Sequence, residues 1–304
     1  MNEPGAGGGA APAVDGSRRD AADPARPQVV LRFERDAAGR TFLGRKFATY
    51  PFFCAAPFHL DRAPCGMLTT ILQSSSGGLY EGDRLALSID VGPDAAAHVT
   101  TQSATVAHPM PHGGEARHRV WIHAAAGSLV EYLPEPLILM PSASVRTSVD
   151  VVAEAGSTVI VGDAFLAHDP AARSRSFSRL VVETTLRRPD APPFAIERFD
   201  IAGDAVETAW RRLTPYRVGA QGSLWVSAPG SPGELAATLG AALDQVPGLH
   251  AAASTLPGDT GAVARLLAPD ARVLGDGFRA AWRALRHALT GLPPARRRQS
   301  GWLS

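Results

Sequence analysis

"HRVWIHAAAGSLVEYLPEPLILM", residues 118–140, alternates apolar and polar side chains, breaks on a run of small residues, and alternates again. A period of two marks a half-buried strand, and the Ala-Ala-Ala-Gly interruption marks a corner between two of them. The theme is stated twice more. "LALSIDVG" (85–92) puts Leu85, Leu87, Ile89 and Val91 on one face and Ala86, Ser88 and Asp90 on the other, and "SVDVVAEAGSTVIVGDAF" (148–165) again runs strand, corner, strand. Corners near Ala95, Gly127 and Gly156 recur at about thirty residues, which predicts stacked, hairpin-like layers. An antiparallel sandwich of similar hairpins satisfies the same alternation. The fold class expected is mainly β, stacked β-layers resembling a β-helix or solenoid, with two C-terminal α-helices packed alongside.

Upstream, "VVLRFERD" (29–36) alternates and "GRTFLGRKFATY" (39–50) follows a turn. Downstream, "SPGELAATLGAALDQVPG" opens with Ser231 as N-cap, Pro232 at the first helical position and Glu234 closing a capping box. Leu235, Leu239, Leu243 and Val246 form its apolar stripe, and Gly248 ends it. "GDGFRAAWRALRHALTGLPP" repeats the logic, with Phe278, Trp282, Leu285 and Leu289 on one face and Arg279, Arg283 and Arg286 on the other. Helices are expected near 231–247 and 276–290, with "GAVARLLAP" (261–269) as a strand between them. Residues 1–27, almost free of large apolar side chains, read as a disordered tail. Residues 28–292 read as a single domain and 293–304 as a basic flexible tail.

A chain of 304 residues with 45% hydrophobic and 19% charged residues is globular, and a net charge of +1 removes the electrostatic case for nucleic acid. Two cysteines, Cys54 and Cys65, make no disulfide framework. No apolar stretch reaches membrane-span length, and the N-terminus lacks a secretory pattern, so a cytoplasmic location is expected.

Catalytic signatures are sparse. "SSSGGLYEGD" (74–83) has a phosphate cradle's glycines, but no lysine follows and a strand comes next instead of a helix. No G-x-S-x-G elbow exists. His108, His112, His118 and His123 cluster within "HPMPHGGEARHRVWIH", where imidazole and Met110 are fitting ligands for nickel or zinc, yet the spacing matches no structural zinc pattern. A solvated loop with incidental histidines and a weak, transient metal site both remain open. "GDAFLAHDP" offers Asp163, His168 and Asp169, read as a loop. A metal-dependent hydrolase using His108, His112, His168 and Asp169 is one alternative; a generic β-solenoid binding module is another. No segment supplies nucleophile, base and orienter together.

Three phrases in register carry a resemblance. Gly77, Gly78, Gly82 and Asp83 form a G-G-x-x-x-G-D turn; Thr100, Thr101, Gln102 and Thr105 a Thr-Thr-Gln run; Glu131, Tyr132, Leu133, Pro134 and Glu135, followed by Ala143 and Arg146, a Glu-aromatic-Leu-Pro segment and its turn. In order and spacing they resemble the urease accessory protein D family (UreD, or UreH), over roughly residues 28–290. The chain departs from the family pattern at Val106–Pro109 and in the tail "PPARRRQSGWLS". The resemblance implies a non-enzymatic scaffold that binds apo-urease, a helical accessory protein F and a GTPase, accessory protein G, and helps deliver nickel to the urease active site. It implies no tightly bound cofactor, only nickel in transit; whether the assembly is a homodimer stays open.

The residues then suggest roles. "TTQSAT" is polar on both faces of a strand, and leaving such groups buried without partners costs about 1–3 kcal/mol each. They therefore belong to an interface, a hydrogen-bonded network or an internal wet passage. Along such a passage Asp83, Glu131, Glu135 and Asp163 are expected as oxygen donors, with His108 and His112 as further nickel contacts. Thr100, Thr101, Gln102, Thr105, Tyr132, Leu133, Pro134 and Arg146 are the expected partner-binding residues. Pro134 and Pro136 bar their stretch from a central strand.

Overall fold

The computed structural model describes residues 26–61, 66–206, 208 and 219–295. The expected tails, apart from residues 26, 27 and 293–295, and Cys65 lie outside the described residues. Among the described residues seventeen strands form two stacked sheets, two longer α-helices pack on one of them, and residues 203–206 are also helical.

The centre is a solenoid. β5 (Arg84–Val91), β8 (Ala116–Ala124) and β11 (Ser144–Ala153) lie side by side and parallel in a seven-stranded sheet. β6 (Ala96–Thr101), β9 (Leu129–Tyr132) and β12 (Thr158–Ala167) do the same in a ten-stranded sheet. Each coil crosses from one sheet to the other through the same corner. Ala95, Ser128 and Ser157 donate their amides to the carbonyls of Gly92, Ala125 and Glu154, and Asp94, Gly127 and Gly156 take φ of 56°, 71° and 81°. Adjacent corners are bonded too, as Asp94 N–H to Ala126 C=O and Thr158 N–H to Ser128 C=O. Glycine suits position 127, where φ is 71° and a Cβ would stand 2.1 Å from the Asp94 carboxylate.

The stacked layers are present; the hairpins are not. A corner with one left-handed residue sends the chain across the inter-sheet gap instead of back beside itself, so each strand pairs with the next coil's strand. Antiparallel pairs close both ends. β1 (Val29–Arg35) with β2 (Thr41–Ala48) and β3 (Phe52–Cys54) with β4 (Leu68–Ser74) flank the first coil. Beyond the third lie β13 (Arg179–Arg187) with β14 (Pro193–Ile201), and β15 (Ala220–Ser227), β16 (His250–Thr255) and β17 (Ala262–Ala268). Short β7 (Thr105–Ala107) and β10 (Leu137–Leu139) pair at the edge opposite the corners. The segment "GDAF", expected in a loop with His168 and Asp169, lies inside β12, and "LIL" after Pro136 is β10.

Inward positions of both sheets, such as Leu31, Leu87, Ile122, Val151 and Val161, fill the space between them. The ten-stranded sheet is buried on its other face as well, by α1 (Pro232–Leu243) and α2 (Ala271–Thr290). Ser231 caps α1 as expected, accepting from Glu234 N at 3.3 Å. α2 starts earlier than 276, at an Asp270 cap that accepts from Val273 N. Gly222 and Gly162 make room for Phe278: a Cβ on Gly222 would come within 2.4 Å of that ring. Among the described residues no helix is long and apolar enough to cross a membrane.

Candidate functional site: a polar seam between the sheets

The glycine turn at 74–83 is a packed structural joint. Gly78 (φ 144°) lies so close to β7 that a Cβ would meet the Val106 carbonyl at 2.1 Å, and Leu79 donates its amide to that carbonyl. Asp83 accepts from Tyr80 N at 2.8 Å, so it caps its own turn. Glu81 accepts from Gly114 N at 2.6 Å and from both the amide and the ring of His112, which holds its carboxyl below its ordinary range. His108 stacks on Tyr80 at 4.4 Å and bonds the Gly77 carbonyl. The histidine loop is thus fastened to the glycine turn. His108 and His112 do not converge with a third ligand: among the described residues no three His, Cys, Asp or Glu side chains are grouped for a metal.

Glu131 does not face the passage expected of it. Val130 and Tyr132 point between the sheets, so Glu131 and His98, on the adjacent strand, point toward α2. There Glu131 receives Arg286 Nε at 2.6 Å and Nη2 at 2.5 Å, with His98 Nδ1 at 2.7 Å. Arg286 also lies 3.4 Å from Asp61, which accepts from Ala295 N. Burial pushes the Glu131 carboxyl up, but the Arg286 charge and the His98 hydrogen bond bring it well below the usual carboxylate range. Arg286, grouped with Arg279 and Arg283 on the charged face in the sequence reading, is fully buried.

Between the sheets, inward polar residues fall together at one level. His118 sits between inward Ala116 and Val120, Thr147 between Val145 and Val149, and Asp163 between Val161 and Phe165; His118 and Thr147 pair in register. They separate two apolar clusters, one around Ile122, Val151 and Val161 and the other around Val145, Phe165 and Leu180. Here a cavity of about 90 Å³ is lined by Thr101, Thr105, His118, Glu135, Thr147 and Asp163 among apolar walls that include Tyr132, Pro134 and Leu137. Thr101 accepts from Glu135 N at 2.9 Å. His118 Nε2 and Asp163 Oδ2 are sealed from solvent without a protein partner. Burial lowers the His118 pKa to about 4 and raises that of Asp163 to about 7, the latter against the Ser223 amide and the Arg265 charge. Beyond Asp163 the seam continues through Thr184 to Glu197, in register with it, and to the Arg265 guanidinium that pairs with Glu197.

Of the expected partner-binding residues, Gln102 is exposed, and Thr105 and Pro134 are half-buried at the cavity. Thr100 is spent on the Leu133 carbonyl at 2.7 Å. Tyr132 and Leu133, each 2% exposed, belong to the core and present no side chain outward. Arg146 lies on the outer face of the seven-stranded sheet. Thr184, Glu197 and Arg265 were outside the expected set, and His118 was weighed only as one of the four histidines of the 108–123 cluster; the available signal was a polar residue in the inward phase of an otherwise apolar alternation.

Asp169 accepts the amides of Ala171, Arg173 and Arg175 and the Arg175 side chain, so the hydrolase set does not assemble around it. The chain is thus a two-sheet solenoid whose largely apolar interior is crossed by one polar seam. The family model described as "UreD urease accessory protein" matches residues 25–300. The chain is 36% identical over 277 residues to urease accessory protein UreD 1 of Methylorubrum populi, covering 90% of this chain and 92% of that protein. It is 36% identical over 263 residues to UreD 3 of Bradyrhizobium sp. (strain ORS 278), with 86% and 91% covered, and 32% identical over 270 residues to UreD 1 of Pseudomonas syringae pv. syringae, with 88% and 94% covered. The chain belongs to the UreD family of urease accessory proteins, as the three sequence phrases indicated; it is a maturation factor and not an enzyme.

Proposed function

We propose that this protein is a cytoplasmic scaffold of urease maturation that binds apo-urease together with accessory proteins F and G, and that nickel, as cargo, passes along the seam. The observation that carries the reading is the pair of solvent-sealed, unpartnered polar atoms, His118 Nε2 and Asp163 Oδ2, on the wall of one cavity. A neutral imidazole and a carboxyl near its titration point are donors that bind a divalent cation without holding it tightly, since the proton on Asp163 competes with the metal. Thr101, Thr105 and Glu135 supply further oxygens. Asp83 and Glu131 have structural work instead. The test is D163N co-expressed with a urease operon. Urease activation should fall while assembly with the partners persists; full activation in both D163N and H118F would remove the seam from the pathway.

A further inference from the structure

We propose that a second cavity, apart from the seam, binds a free α-amino acid with an aliphatic side chain. Its volume is about 390 Å³, within the range of small-molecule sites, and it lies where the β1–β2 turn, the corner stack and the end of α2 meet. None of its lining residues belongs to the seam cavity. Two side chains of opposite charge line it. Arg35 ends β1 in the same phase as the inward residues Val29, Leu31 and Phe33, and Asp94 comes from the first corner. Among the described residues neither forms an ion pair, with the other or with any third group. Two glycines keep room for them. A Cβ on Gly39 would stand 3.1 Å from the Arg35 guanidinium, and one on Gly127 would stand 2.1 Å from the Asp94 carboxylate.

A guanidinium is a two-pronged donor for a carboxylate, and a carboxylate accepts from an ammonium. α2 ends at Thr290 on the cavity wall, and the negative end of its dipole favours a cation there. A simple anion would be repelled by Asp94 and a simple cation by Arg35, whereas a zwitterion satisfies both. Hydroxyls supply the remaining polar lining. Thr41 Oγ1 accepts from Ala96 N at 2.9 Å, which leaves its own proton to donate, and Ser128 Oγ is buried without a protein partner. Leu129 and Leu289 form an apolar wall against which an aliphatic side chain would rest.

The experiment titrates the full chain with L-leucine by calorimetry, beside 4-methylpentanoate, which lacks the ammonium, and 3-methylbutylamine, which lacks the carboxylate. Leucine should bind at least tenfold more tightly than either half. R35Q should weaken leucine at least tenfold and leave the amine unchanged; D94N should weaken leucine as much and leave the acid unchanged. Asparagine tolerates the left-handed φ of 56° at position 94, so D94N keeps the corner, and the urea midpoints of both variants should match that of the wild type. The site is overturned if leucine binds no more tightly than its two halves, if the wild type gives no saturable heat with leucine, or if folded R35Q and D94N bind leucine as the wild type does.

Discussion

Arg286 on α2 and Glu131 on β9, 155 positions apart, meet in a two-pronged ion pair with both side chains fully buried. The pair bolts the helical layer to the ten-stranded sheet, and through Asp61 and Ala295 it gathers the chain on either side of the sheet's end. Removing one partner strands a buried charge, which costs about 3–5 kcal/mol, whereas replacing both by apolar groups costs far less. R286M and E131L should each lower the urea midpoint sharply, and the double variant should recover part of the loss, the remainder reflecting the buried Asp61 carboxylate that also faces Arg286.

The same pair predicts an acid limb of stability. Glu131 has a folded-state pKa below its unfolded value, so its contribution is present above the ordinary glutamate range and is lost as pH falls through the folded value. Thermal melts of wild type and the R286M/E131L double variant, compared from pH 6 downward, should converge at the acid end.

Asp163 and His118 act with opposite signs. The folded pKa of Asp163, about 7, lies above its unfolded value, so the unfolded chain gives up its proton first and stability declines as pH rises from about 4 to about 7. His118, lowered to about 4, makes stability decline as pH falls from about 6.5 to about 4. D163N should gain melting temperature over wild type most at pH 7 and little near pH 4. H118F should gain most near pH 4. A D163N advantage independent of pH would contradict the buried-carboxyl assignment.

Two glycines of the 74–83 turn separate backbone strain from collision. Gly82 has φ of 85° with open space around it, so Gly82→Ala should cost only the left-handed penalty, roughly 1–2 kcal/mol. Gly78→Ala adds a collision with the Val106 carbonyl and should cost clearly more, measured by the same denaturant titration.

Much of this architecture was legible because local rules and the fold agree. Alternation from Leu85 to Val91, the small corner residues around Gly127 and Gly156, and the Ser231 cap each demand the geometry they receive. Hairpin and coil, however, write the same alternation, and pairing between strands of successive coils is a long-range choice that no short window contains. The site was harder to read. Glu131 is out of phase with Val130 and Tyr132, which sends it away from the seam, but that second face is buried under α2, so "outward" did not mean solvent. Arg286 lies one helical turn from Trp282 and therefore on the packed stripe, although its charge argued for water. Asp163 kept its phase and was found where its neighbours pointed.

The corner stack has a practical corollary. Val91 pairs with Ala124 and Ala124 with Ala153, offsets of 33 and 29 residues, and Arg84, Arg117 and Arg146 at the other end of the same strands keep the identical offsets. Every residue by which one turn of the spiral exceeds the next has therefore been expelled to the far margin, between β6 and β8 or between β9 and β11. Evolution and the protein engineer face the same asymmetric ruler: the tight seam of Asp94, Gly127 and Gly156 tolerates no change of length, and the margin bearing His112 and Pro134 is where new chain can be spliced without shifting the stack.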